Sequence, residues 1–268
     1  MKLNHVKLVV TDMDGTLLNT THHVSPLFFS LFEKLTALNI TFVAASGRPL
    51  YSMVDKFSRI KDDLILVAEN GGLGVRGNHT LFSVPLKTKH FEEICIVLEK
   101  VTDAHPVFCC KDKAYVKTES KQLIHLLKEY YPKYELIDSV TEISEPVYKI
   151  ALYHEQSSER FIYPYVKPLE DKFKVKLSAT HWVDISELDA NKGTALRLIQ
   201  DSLNITPAET MAFGDYNNDL EMLENAYFSY AMANAHENVK AIARFSTKSN
   251  TEFGVEVILQ SLLRAKLS

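Results

Sequence analysis

An apolar run, Val6-Lys7-Leu8-Val9-Val10-Thr11, stops on Asp12-Met13-Asp14-Gly15-Thr16. A β-branched run without regular polar alternation reads as a strand covered on both faces, the pattern of a parallel sheet flanked by helices. Open parallel sheets bind ligands just past the carboxyl ends of their strands, so these two acids stand where chemistry is expected. Side chains two residues apart on extended backbone point the same way, which lets both carboxylates face one site, and Gly15 lets the chain turn away at once. Two anions this close call for a hard cation such as Mg²⁺, or for a proton on one of them. The same residues also suit an Asx-type turn with no chemistry attached.

The rest of the chain repeats the strand–helix alternation. Residues 5–12, 40–46, 64–68 and 210–214 read as strands. Ser25-Pro26 offers a helix cap with proline at the first position, followed by Leu27, Phe28, Leu31, Phe32, Leu35 and Leu38 at helical spacing. Residues 191–203 and 251–267 give two further amphipathic helices. Between them, residues 83–189 change character: helical patterns at 91–101, 121–130 and 158–169 mix with closely spaced strands at 107–110, 147–153, 172–177 and 181–185. Close pairs of strands suggest an α+β module with antiparallel pairing, inserted between two halves (1–82 and 190–268) of an α/β core.

Two more strand ends carry polar groups. In "FVAASGRP" the Ser46 hydroxyl and the Gly47 amide suit an oxyanion such as phosphate, although a Ser-Gly turn is common without one. In "MAFGDYNNDLEML", Asp215 could join Asp12 in an oxygen-rich metal site; Asn218 and Asp219 suit either the site or the capping of a helix. Lys192 opens the helix of "DANKGTALRLIQ", where the macrodipole disfavours a cation unless an anion stands nearby. A phosphate or the Asp12 carboxylate would serve, and a solvated surface lysine is the plain alternative.

Charge narrows the partners. With 30 Lys and Arg against 34 Asp and Glu the net charge is -4, and the pI is near 6.2, which disfavours nucleic acid and anionic membrane as partners. A small molecule fits better. No apolar run approaches the roughly 20 residues of a membrane span, and no leader pattern is evident, so a cytoplasmic location is expected. Cys95, Cys109 and Cys110, odd in number and partly adjacent, read as core thiols.

In order, "DMDGT", "ASGR", "NKG" and "GDYNND" resemble the four signature motifs of the haloacid dehalogenase superfamily of phosphatases. The short interval from Gly15 to Ser46 and the large insertion before Lys192 look like its Cof-type (type IIB cap) branch, to which "AENGG" at 68–72 and "ANA" at 233–235 are also similar. The resemblance implies a Rossmann-like parallel-sheet core with a mobile inserted cap that closes over the site and sets specificity. It implies that Asp12 is the nucleophile of an aspartyl-phosphate pathway and that Asp14 is the general acid and then base. Mg²⁺ would be held by Asp12, the Asp14 carbonyl and Asp215. Met13, Ser46, Gly47, Lys192 and Asn218 would bind substrate, Arg48 would reach phosphate or brace its loop, and Asp219 would support Lys192 or a metal-bound water. The aspartate at position 14 separates the chain from haloalkanoate dehalogenases, which lack this acid, and from P-type ATPases, which carry threonine there.

The expected function is therefore Mg²⁺-dependent hydrolysis of a small phosphorylated metabolite, such as a sugar phosphate, flavin mononucleotide or pyridoxal phosphate, by a monomer or small homo-oligomer. Phosphomannomutase-like transfer and a catalytically silent phosphate-ester-binding regulator are the alternatives. Asp184, eight residues before Lys192, is either near the site entrance or a surface acid. Lys149 and His181-Trp182 are weaker candidates that alternation on a half-buried strand explains equally well.

Overall fold

The computed structural model describes residues 2–268. The chain divides into two compact units: one takes the chain up to Gly47, then Val54–Phe82 and Asn191–Ser268, and the other takes Arg48–Met53 and Ser83–Ala190.

The elements before the insertion are β1 (Leu8–Asp12), α1 (Pro26–Thr36), β2 (Thr41–Ala45), α2 (Leu50–Lys56), β3 (Ile65–Ala68), β4 (Leu73–Arg76) and β5 (His79–Ser83). Those of the insertion are α3 (Thr88–Leu98), β6 (His105–Cys109), β7 (Ala114–Val116), α4 (Lys121–Tyr130), β8 (Tyr134–Leu136), β9 (Lys149–Tyr153), α5 (Ser158–Phe161), α6 (Tyr163–Val166), β10 (Phe173–Ala179) and β11 (Trp182–Glu187). The chain then returns with α7 (Lys192–Leu203), β12 (Thr210–Gly214), α8 (Leu220–Glu224), β13 (Phe228–Ala231), α9 (Glu237–Ile242), β14 (Phe245–Ser246) and α10 (Gly254–Leu267).

Strands β14-β13-β12-β1-β2-β3-β4-β5 lie in that order in one sheet. Pairing is parallel from β14 through β3, and β4 runs antiparallel to β3. The chain winds outward from β1 in one direction through β2 and β3 and in the other through β12 and β13. The reversal of strand order therefore falls between β1 and β12, where an open α/β sheet leaves a crevice beyond its carboxyl ends. Asp12 ends β1 and Gly214 ends β12, with Thr11 in register with Phe213.

Burial explains this frame. All five residues of β1 and of β12 are buried, as the continuous apolar run requires. Ser25 caps α1 by accepting the Phe28 amide at 3.0 Å, and Pro26 follows at the first turn. The helix turns Phe28, Leu31, Phe32 and Leu35 inward, and Phe28 and Phe32 meet Phe42 of β2 with ring centres 6.1 and 5.0 Å apart. Leu27, expected on the apolar stripe, is exposed instead.

The insertion holds the sheet β10-β11-β9-β6-β7-β8, antiparallel except between β7 and β8. Phe108, Ile150, Leu152, Val183 and Ile185 form one core with Ile94, Ile162 and Val166, while Val107, Cys109, Ala151 and Tyr153 form another with Leu123 and Leu127 of α4.

Three expectations need correction. The first strand begins at Leu8 rather than residue 5, because the His5 and Val6 amides close a turn onto Lys2 O and Leu3 O at 3.1 and 3.0 Å. The helix expected over 158–169 is broken into α5, α6 and a 3₁₀ turn at Lys167–Asp171. Pro164 and Pro168 each lack the amide that would continue it. Strand β9 is buried along its whole length, so Lys149 does not stand on a half-buried strand: its ammonium lies 3.7 Å from the Asp184 carboxylate on the neighbouring strand. Among the described residues no helix is long and apolar enough to cross a membrane.

Candidate active site

The carboxyl ends of β1 and β12 and the start of α7 place three of the expected residues in contact. Lys192 is 1% exposed, which removes the surface-lysine alternative. Its ammonium donates to Asp12 Oδ1 and, at 2.7 Å, to Asp219 Oδ1. These anions offset the unfavourable dipole at the helix start. Asn191 caps the same helix by accepting the Thr194 amide at 2.8 Å, so the turn carrying Lys192 is fixed by its own sequence.

Asp219 is spent on this scaffold. Its Oδ2 accepts the amides of Asp215 and Tyr216 at 3.0 and 3.2 Å, which ties the loop after β12 into one turn. Asp215 is held in turn: its Oδ1 accepts the Thr16 hydroxyl at 2.9 Å, and its carbonyl accepts the His236 amide at 2.8 Å. Gly15, at φ +82°, is the residue the sequence requires here, because a β-carbon on it would lie 2.3 Å from Asp215 Oδ2. The carbonyl of Gly15 is further held by Asn234 Nδ2 at 2.8 Å.

Asp12, Asp215 and Asp219 bring carboxylate oxygens within 4.8 Å of one another. Three carboxylates against the one ammonium of Lys192 leave an excess of two negative charges, and Asp12 Oδ2 is buried with no hydrogen-bond donor. A buried carboxylate oxygen without a donor is costly, and a hard divalent cation is the ligand that such an oxygen-only, doubly negative set fits. The electrostatics agree. Burial pushes the Asp12 carboxyl well above the usual carboxylate range, with Asp219 and Asp215 adding to the shift and Lys192 opposing it. Burial and Asp219 push Asp215 up to about 6, against the Thr16 hydrogen bond and Lys192. Burial would lower Lys192, but Asp12 and Asp219 outweigh it and hold the ammonium charged.

Asp14 lies outside this buried group, on the loop just past β1. Its side chain is 41% exposed, and His22 Nδ1 stands 3.3 Å from its Oδ1. Met13 between the two acids is fully buried, so only its backbone is open to a ligand; its carbonyl accepts the Thr16 and Leu18 amides at 3.3 and 2.8 Å. Ser46 is buried at the end of β2, with its amide on Val67 O at 2.8 Å. Asn218 does not cap a helix; its Nδ2 donates to Asn70 Oδ1 at 3.1 Å. Arg48 groups with the inserted unit, where its Nη1 lies 3.5 Å from Ser52 Oγ. In that unit Asp184 pairs with Lys149, His181 Nδ1 lies 3.1 Å from His154 O, and Trp182 packs on Tyr153 with ring centres 5.0 Å apart.

Thr16, His22 and Asn70 received no role from the sequence. Thr16 and Asn70 lie inside quoted motifs, "DMDGT" and "AENGG", yet their partners Asp215 and Asn218 are 199 and 148 residues away. No local pattern carries that information.

A family model described as haloacid dehalogenase-like hydrolase matches residues 9–259. The chain is 29% identical over 265 residues to the 5-amino-6-(5-phospho-D-ribitylamino)uracil phosphatase of Escherichia coli, covering 97% of each. It is 27% identical over 237 residues to the HMP-PP phosphatase of Shigella flexneri, covering 88% of this chain and 87% of that protein. The crystal structure of SMU.1108c from Streptococcus mutans superimposes with a TM-score of 0.87 at 32% identity, over 97% of this chain and 99% of that one. A strand-end carboxylate site of this composition, on a chain aligned with those proteins over nearly its full length, belongs to the haloacid dehalogenase-like hydrolases, and this chain is a Cof-type phosphatase of that family.

Proposed function

We propose that this enzyme uses Mg²⁺ to hydrolyse small phosphate monoesters of sugar- or polyol-like alcohols in the cytoplasm, through a phosphoryl group carried on Asp12. The observation that carries the reading is the state of the Asp12 carboxylate: one oxygen is fixed by a buried lysine, and the other is buried without a donor. A carboxylate so arranged is pinned in orientation and short of positive charge, which a phosphoryl acceptor beside a cation site requires.

Asp12, Asp215 and the Asp14 backbone carbonyl would hold Mg²⁺, which supplies charge neutralisation for the anionic group being transferred. Lys192 keeps the Asp12 carboxylate in place and adds positive charge beside it. In the first step an Asp12 oxygen bonds to phosphorus as the ester P–O bond breaks; the departing electron pair is protonated by Asp14, whose exposure lets it exchange protons with solvent. In the second step water bonds to phosphorus, Asp14 takes its proton, and the Asp12–phosphate bond breaks to release phosphate. Ser46, the Gly47 and Met13 amides and Asn218 bind the phosphoryl oxygens, with Arg48 as a further contact or a brace of its loop. The insertion over residues 83–189 selects the alcohol. The E. coli relative is named for a phosphate on a ribityl chain, which supports a polyhydroxylated alcohol here.

The purified protein is expected to release phosphate from p-nitrophenyl phosphate and from a panel of sugar and polyol phosphates with Mg²⁺, and to lose turnover when EDTA is added. A hexose 1-phosphate distinguishes the mutase: formation of the 6-phosphate without free phosphate would overturn the hydrolase reading. Binding of the esters with no turnover of any would favour the silent regulator.

A further inference from the structure

The segment after β3, Glu69-Asn70-Gly71, holds three successive residues at positive φ: 51°, 56° and 106°. Two of them are not glycine, and such a residue is strained unless its surroundings compensate. The compensation at Asn70 is visible. Its amide donates to Ser46 O at 2.9 Å, and its side-chain Oδ1 accepts Asn218 Nδ2 at 3.1 Å. Its side-chain amide also lies close against Gly47: a β-carbon there would come within 3.0 and 3.1 Å of Asn70 Oδ1 and Nδ2. One left-handed residue thus touches the loop after β2 and the loop after β12 together.

The geometry points to Asn70 as a positioning residue that sets Asn218 and the Ser46–Gly47 turn in their phosphate-binding arrangement. The inference rests on the reading of those three groups as phosphate ligands. Asn70 itself need not touch the substrate. Accepting from Asn218 Nδ2 fixes which way that side-chain amide faces, and the close contact with Gly47, which leaves little room for a β-carbon, sets how close the two loops stand. Asparagine suits both demands, because it tolerates the left-handed region and carries the acceptor.

The test uses Asn70→Gly and Asn70→Ala in the full-length protein. Glycine accepts the left-handed φ without strain, whereas alanine removes the acceptor without freeing the backbone, so equal losses in the two identify the missing side chain. Each variant is expected to keep a cooperative melt. Each is expected to lose about tenfold or more in kcat/KM on p-nitrophenyl phosphate, mainly in kcat, with orthovanadate affinity weakened by a matching factor. The part of the loss that runs through Asn218 disappears in that background, so Asn70→Gly should cost several-fold less in Asn218→Ala than in the wild-type protein. Multiplied losses in the double variant, or wild-type kinetics and vanadate binding in both single variants, would overturn the inference. A wild-type protein that neither turns over nor binds orthovanadate would instead overturn the phosphatase reading.

Discussion

Lys192 and Asp14 are charged residues near the carboxyl end of β1 with opposite environments. Lys192 is buried between two carboxylates; Asp14 sits beside His22 with about two fifths of its side chain in water. The first arrangement suits a fixed charge, and the second suits a group that must pick up and release protons. From this difference, Asp14→Asn should lower kcat/KM, which reports only the transfer to Asp12, by about 100-fold or more on an alkyl phosphate and by less than about tenfold on p-nitrophenyl phosphate, since nitrophenolate leaves without a proton. Equal losses in kcat/KM on the two esters would remove Asp14 from the acid role. At this scale the sequence was readable wherever a functional group sits inside a short motif: Asp12, Lys192 and Asp215 could be nominated from strand ends and a helix start. It was silent on the residues that hold them. Thr16, Asn70 and Asn234 act through partners that only the fold brings near, and in sequence each looks like an ordinary turn residue.

The helices show how far local signals reach. The Ser25-Pro26 start of α1 was legible because a cap acts within three residues. That Ser25 also donates to Glu256 of α10 at 2.5 Å was not, because the two are 231 residues apart. Burial, against the Ser25 hydrogen bond, raises the Glu256 pKa above its ordinary value. A raised carboxyl pKa favours the folded state while the group is protonated. That stability is full below the unfolded pKa near 4.5 and is lost as pH rises through the folded value. Glu256→Gln mimics the protonated acid. The Tm gap in its favour should therefore open as pH rises from about 4.5 to 8 and reach on the order of 2 °C, as thermal melts across that range would show. A gap that is constant with pH, or that favours wild type at pH 8, would contradict this account. Proline gave a weaker warning than it deserved in 158–169, where an apolar pattern at helical spacing masked two missing amides. Short strands such as β4, β13 and β14 are only two to four residues long, and such lengths carry too little periodicity to separate from loop.

For the whole molecule, the α/β class and the return of the sheet after a long insertion followed from where buried strands recur. The order of the strands did not follow, yet it places the site: β1 and β12, whose register partners Leu8 and Thr210 are 202 residues apart in sequence, are adjacent in the sheet, and their ends bring Asp12 to Asp215. The central claim is that this junction makes Asp12 a carrier of the phosphoryl group. Rapid acid quench during steady-state turnover of p-nitrophenyl phosphate with Mg²⁺, followed by mass spectrometry of the peptide bearing residues 8–23, reads it directly. The account predicts a phosphoryl adduct on Asp12 in the wild-type protein, with neither adduct nor turnover in a folded Asp12→Asn variant; sustained turnover in Asp12→Asn would contradict it.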